Sequence, residues 1–147
     1  MLFRSIYPKI TKIPYPKAGT TNSAVRIGVV SAEGGQPTWV KTEGDPRNTY
    51  LARLGWIDAR TVAIQQLNRQ QNRNDFLTAD IATGDVKRVF RDESTTWVDV
   101  NEDVPWIDGG KTFLWLSERD GFQHVYRVPR EGGDRKSTRL NSSHEWD

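Results

Sequence analysis

Apolar and polar residues alternate along most of the chain with a period of two, the signature of half-buried strands rather than helices. Val25, Ile27 and Val29 alternate with Arg26 and Gly28; Glu33-Gly34-Gly35 turns the backbone and Thr38-Trp39-Val40 resumes β-type residues, predicting a hairpin. The polar loop Glu43-Gly44-Asp45-Pro46-Arg47-Asn48 leads into a second hairpin, Tyr50 to Trp56 and Thr61 to Leu67, turned at Asp58-Ala59-Arg60. Asn68 to Asn74 is polar throughout and reads as a loop. Phe76 to Ile81 and Val86 to Phe90 make a third pair about Ala82-Thr83-Gly84-Asp85. Strands at Val104 to Ile107, Thr112 to Leu116 and Gln123 to Val128 follow, separated by Asp108-Gly109-Gly110 and by a turn over Ser117 to Gly121. Propensity alone would also allow a helix over Ala59 to Gln70. Pro8, Pro14, Pro16 and Gly19 in the first 23 residues suit neither helix nor central strand, so that stretch reads as an extended connector.

The pattern repeats. Trp56-Ile57-Asp58 returns as Trp106-Ile107-Asp108 and the turn glycine Gly34 returns as Gly84, both 50 residues on. Four strands at this period describe a β-propeller blade, which packs both faces on neighbours. The alternative is a β-sandwich with two similar hairpins. On the propeller register the chain holds the outer part of one blade up to about Glu43. A nearly complete blade runs from about Tyr50 to Arg91, and most of a third begins at about Thr96. Such an open piece would expose Trp, Val and Leu surface and unpaired strand edges.

Composition narrows the function classes. With 147 residues, 35% hydrophobic and 27% charged, the chain is one domain's worth of folded protein. Its 21 basic residues are spread along the chain and matched by 19 acidic ones, which argues against a nucleic-acid face. Cysteine is absent, removing disulfides, thiol nucleophiles and Cys-based zinc sites. No apolar run reaches the roughly 18 residues of a membrane-spanning helix, and the first residues lack the apolar stretch of a secretory signal. No Gly-x-Ser-x-Gly occurs, so no catalytic residue is assigned. His124, in Gly-Phe-Gln-His-Val-Tyr, reads as a strand-start residue; Asp58 and Asp108 each follow Trp-Ile in a turn, where Asp bonds the backbone. One His and dispersed carboxylates make no metal-ligand set, and no cofactor is expected.

Several segments carry a family resemblance. Tyr7-Pro8-Lys9, then Ile13-Pro14-Tyr15-Pro16-Lys17-Ala18-Gly19, Asn22 and Val25 to Val30 resemble the segment entering a mid-propeller blade of dipeptidyl peptidase IV and its bacterial relatives, within the prolyl oligopeptidase clan. Glu93-Ser94-Thr95-Thr96-Trp97-Val98 and Trp115 to Tyr126 are similar to the next blades in the same order, so the likeness spans about residues 7 to 133. The fold this implies is all-β, a partial β-propeller of about two and a half blades of an eight-bladed ring. The parent it implies is a serine exopeptidase in which the propeller caps an α/β-hydrolase domain. Dipeptides would be released from peptide N-termini, preferably after Pro or Ala. In that family a propeller glutamate pair binds the substrate's amino group, upstream of the Tyr-Pro-Lys-Ala-Gly run and so outside this sequence. The stretch from about Val98 to Glu102 resembles the family's pocket wall for the second residue of substrate, which makes Val100 and Asn101 the candidate substrate-binding residues; an inter-blade loop without ligand contact is the alternative. The implied partners are peptide substrate and the parent's own hydrolase domain. A homodimeric parent, periplasmic or secreted, is also implied, with no nucleic-acid or membrane partner.

Residues 1–133 are thus expected to be propeller. Residues 134–147 depart from the pattern: Asp134-Arg135-Lys136-Ser137-Thr138-Arg139-Leu140-Asn141-Ser142-Ser143-His144 reads as a translated sequencing adapter, with no domain of its own. A different class of function is a stand-alone β-rich peptide- or carbohydrate-binding module, using Trp39, Trp56, Trp97, Trp106 and Trp115 as a platform. Equivalent positions of Trp56 and Trp106 favour packing instead, and their exposure separates the two readings.

Overall fold

The computed structural model describes residues 10–13, 15 and 17–133, with the backbone of 136–137. Residues 1–9, Pro14, Pro16 and most of 134–147 lie outside that set, and with them much of the expected connector and the adapter reading. Among the described residues there are ten strands, a short 3-10 turn at Asp108–Gly110 and no α-helix. Strands β1 (Gly28–Val29) and β2 (Thr38–Trp39) form a small first sheet. A second sheet runs in order β3 (Thr49–Asp58), β4 (Thr61–Asn68), β5 (Arg73–Asp80), β6 (Val86–Glu93). The third runs β7 (Trp106–Ile107), β8 (Thr112–Ser117), β9 (His124–Pro129), β10 (Lys136–Ser137). All pairings are antiparallel between consecutive strands. The helical option over 59–70 is overturned, since that stretch supplies β4. The polar loop expected over Asn68 to Asn74 is shorter than its composition suggests. Asn68 Oδ1 accepts the amides of Asn72 and Arg73 at 3.2 and 3.1 Å, closing the turn so that pairing resumes at Arg73.

The second sheet is apolar on both faces, which is what a propeller blade needs. Val62, Ile64, Leu77 and Ala79 pack with Val40, Ile27 and Val29 on the side of the first sheet. Phe76, Val89 and Phe90 face the third sheet's Phe113, Trp115, Tyr126 and Val128. The alternation along β5, with Phe76 to one side and Leu77 to the other, builds both cores from one strand. Val89 and Phe90 are adjacent yet share a core because the ladder skips Val89: Phe76 pairs Phe90 and Leu77 pairs Arg88, a bulge that turns consecutive side chains the same way. The second core is aromatic, with Phe76 ring centroids 4.6 Å from Phe113 and 5.4 Å from Trp115.

The step between sheets repeats. Gly84, at φ 75°, lies so close to β2 that an added Cβ would sit 2.2 Å from the Trp39 carbonyl oxygen; at Gly132, φ 79°, it would sit 3.0 Å from the Val89 carbonyl oxygen. Each docked turn is tied by an exposed lysine–carboxylate pair of equal sequence separation, Lys41–Asp85 at 2.8 Å and Lys87–Glu131 at 2.9 Å. Glycine is required there because only it brings a positive-φ backbone within touching distance of another backbone. The result is a partial β-propeller.

Trp56 and Trp106 hold equivalent register positions, opposite Val62 and Phe113. Trp106 packs on the aromatic core, whereas Trp56 is 60% exposed and Leu54 62%. Leu54 and Trp56 pair across from Ile64 and Val62, which Val40, Ile27 and Val29 pack against, yet these two β3 side chains stay exposed. Packing therefore accounts for Trp106 and not for Trp56.

Candidate functional site

Successive strands reverse direction, so the β4–β5 turn, the β6–β7 connection and the β8–β9 turn emerge at one end of the sheets. The connection is anchored there: Ser94 N–H donates to Asn72 O and Val98 N–H to Gln71 O, both at 3.0 Å. Between the connection and the β8–β9 turn lies an open cavity of about 700 Å³. Val100 and Asn101 both line it, so the structure brings the two candidate residues to one wall. Val100 is half-buried; Asn101 is buried, and its side chain is occupied. Asn101 Nδ2 donates to Leu116 O and its Oδ1 accepts Leu116 N–H, each at 3.1 Å, so the amide continues the edge of β8 like an added strand residue.

The same residue is gripped from the other sheet. Gln65 Nε2 donates to the Asn101 carbonyl at 2.6 Å and its Oε1 accepts the Asn101 N–H at 3.1 Å, while Asn74 Nδ2 donates to that Oε1 at 2.9 Å. Gln65 and Asn74 are buried, in strands whose other buried residues are apolar apart from Gln66. A few residues on, the buried carboxylate of Asp92 accepts Trp115 Nε1 at 2.9 Å, Ser117 Oγ at 2.7 Å and Arg119 Nη2 at 2.8 Å. Arg119 also lies over the rings of Phe90 and Tyr126. Tyr126 donates to Asp120, and its phenol is pushed up to about 12, first by burial and then by that carboxylate. Gln65, Asn74 and Asp92 escaped the sequence reading. The sequence carries no local signal for them, because a polar residue in a strand reads as solvent-facing until a neighbouring sheet buries it and brings hydrogen-bond partners to most of its polar atoms.

The cavity is strongly acidic. Asp92, Glu93, Asp99, Glu102, Asp103 and Glu118 line it against Arg119, which Asp92 already holds. Glu102 pairs with exposed Arg53 at 3.2 Å and Asp99 accepts Trp97 Nε1 at 3.0 Å. Glu93, Asp103 and Glu118 form no ion pair among the described residues. Low-dielectric walls lined by one sign of charge focus a negative potential into the opening.

The other sequence candidates fall elsewhere. Asp58 is a turn residue: its Oδ1 accepts Arg60 N–H at 2.8 Å. Its Oδ2 accepts Arg130, whose hydrogen bond, ahead of the Arg60 amide, lowers the carboxyl to about 2. Asp108 accepts from Arg127. His124 is the half-buried first residue of β9, opposite Ser117. Of the five tryptophans considered as a platform, Trp115 is fully buried and Trp106 packs in the core. Exposed Trp39, Trp56 and Trp97 make no ring-to-ring contact among the described residues, so no clustered platform is formed. No group of His, Asp and Glu suited to a metal ion occurs among the described residues.

Known proteins resemble this chain in sequence and in fold. Rat inactive dipeptidyl peptidase 10 is 29% identical over 130 residues, covering 82% of this chain and 16% of its own length. Dipeptidyl peptidase 4 of Trichophyton rubrum is 25% identical over 134 residues, 86% of this chain and 17% of the relative. The chain thus spans about a sixth of the length of the curated relatives it matches. The crystal structure of Porphyromonas gingivalis dipeptidyl peptidase 4 superposes with a TM-score of 0.79 at 27% identity, over 92% of this chain and 20% of that one. The family described as the dipeptidyl peptidase IV (DPP IV) N-terminal region matches residues 2–147, and the chain belongs to that family.

Proposed function

We propose that this chain is part of the propeller of a serine exopeptidase that releases N-terminal dipeptides, with Pro or Ala preferred before the cleaved bond. On this reading the bond is hydrolysed by a Ser-His-Asp triad in an α/β-hydrolase domain of the same polypeptide, and the propeller restricts access to it. The chain itself carries no catalytic residue; its contribution is to shape the approach. Residues 1–133 are propeller in this proposal, and 134–147 remain assigned to translated adapter. The observation that carries the reading is the family match along the chain, together with a cavity at the end of the sheets where three connections converge. Val100 and Asn101 are proposed to belong to the wall of the pocket for the second residue of substrate, the Pro or Ala before the cleaved bond.

The test has two steps. Long-read sequencing across both ends of the reading frame should extend it downstream to Gly-x-Ser-x-Gly with a later Asp and His. The full-length product should then release a chromophore from an Xaa-Pro anilide and lose that activity on Ser→Ala substitution at the nucleophile. A frame closed in genomic DNA at Met1 and Asp147, or a full-length product inert towards Xaa-Pro and Xaa-Ala anilides, would overturn it.

A further inference from the structure

We infer that Gln65 is a positioning residue for the substrate-facing wall, a specificity device seated in the blade rather than in the loop it controls. The inference rests on the function proposed above. The wall residues sit on a connection between sheets, and such segments are the parts of a fold free to shift. Here the shift is prevented by a relay. Asn74 holds the Gln65 amide, Gln65 holds both backbone groups of Asn101, and the Asn101 side chain holds both backbone groups of Leu116. Beyond the backbone anchors at Ser94 and Val98, one buried amide on β4 therefore ties the Asn101 end of the connection to β8, with Val100 adjacent on the cavity wall.

The geometry suits glutamine alone. The amide must donate to a carbonyl at 2.6 Å and accept an N–H at 3.1 Å from the same residue, so a carboxylate can do only half and a methionine neither. Losing the donor leaves the Asn101 carbonyl buried without its partner, which favours a rotated or displaced connection. The residues that touch substrate would then be misplaced while the catalytic domain is untouched.

The experiment uses the full-length protein and steady-state kinetics on paired Xaa-Pro and Xaa-Ala anilides, with wild type, Gln65→Met, Gln65→Glu and Gly84→Ala as a destabilised control. Positions misplaced by about an ångström change rates and affinities severalfold to a hundredfold. For Gln65→Met we expect KM to rise about tenfold with kcat little changed, and the preference between Pro and Ala to flatten. For Gln65→Glu, which keeps the acceptor, a rise of about threefold is expected. Gly84→Ala should lower the unfolding midpoint without moving KM. If Gln65→Met does not fold, Gln65→Glu carries the same readout. KM and Pro-to-Ala preference within twofold of wild type in the folded variants, whatever their midpoint, would overturn the inference and leave the peptidase reading standing. A wild type that cleaves no Xaa-Pro or Xaa-Ala anilide overturns both.

Discussion

Asp92 offers the sharpest test of how the two large sheets are joined. Its carboxylate is 4% exposed and accepts three donors from the third sheet and its turn: Trp115 Nε1, Ser117 Oγ and Arg119 Nη2. Asp92→Ala strips all three. Trp115 and Ser117 are buried, so each orphaned donor costs about 1–3 kcal/mol. Removing one partner of a buried ion pair costs about 3–5 kcal/mol in other proteins. These penalties overlap, because Asp92, Ser117 and Arg119 also border the open cavity, where water can enter. The expected loss is about 4 kcal/mol, a large part of the roughly 5–15 kcal/mol that holds a domain together. Asp92→Asn keeps the shape and one acceptor and should lose about half as much. Urea unfolding followed by tryptophan fluorescence measures it, since a shifted midpoint at constant slope reports stability alone. A loss below about 1 kcal/mol for Asp92→Ala would refute the reasoning. So would strict additivity with Ser117→Ala, because two groups sharing one bond must couple.

Other outcomes follow from the same geometry. Gly84→Ala should cost about 2 kcal/mol or more, from positive φ plus collision with the Trp39 carbonyl, whereas Gly34→Ala, at φ 91° with nothing within 4 Å, should show only the backbone strain of about 1 kcal/mol; equal losses in calorimetry would contradict the docking role. Phe76→Ala empties the centre of the aromatic core and should cost about 3–5 kcal/mol, read from the same urea curves. Asp58 has a carboxyl lowered to about 2, so its pairing with Arg130 stabilises the fold fully above the unfolded value of about 3.9, and the contribution disappears as pH falls through 2; Asp58→Asn should flatten that part of the acid unfolding profile. Tyr126, raised to about 12, stabilises the fold below the unfolded value of about 10 and loses that contribution as pH rises through 12, so its tyrosinate absorbance should appear late in an alkaline titration and at the ordinary pH in Tyr126→Phe-corrected unfolded chain.

Strand order, turn positions and the blade repeat were legible in the residues because they depend on neighbours in sequence. Alternation decides which face a side chain takes, and Gly34, Gly84 and Asp58 mark turns through φ preferences and local hydrogen bonds. Even Gly132, the repeat's next docking glycine, was visible as a glycine, although not as the counterpart of Gly84. What the residues could not show is which polar group meets which. Gln65 and Asn101 are 36 positions apart and Asp92 and Ser117 are 25 apart, and nothing local distinguishes these side chains from solvated ones. Their roles arise only when one sheet packs on the next and water is excluded, because burial is what makes an unpartnered amide or carboxylate costly. The exposure of Trp56 has the same origin. Its sequence matches that of Trp106, but burial belongs to the pair of surfaces and not to the residue, and only Trp106 has a neighbouring sheet packed over it.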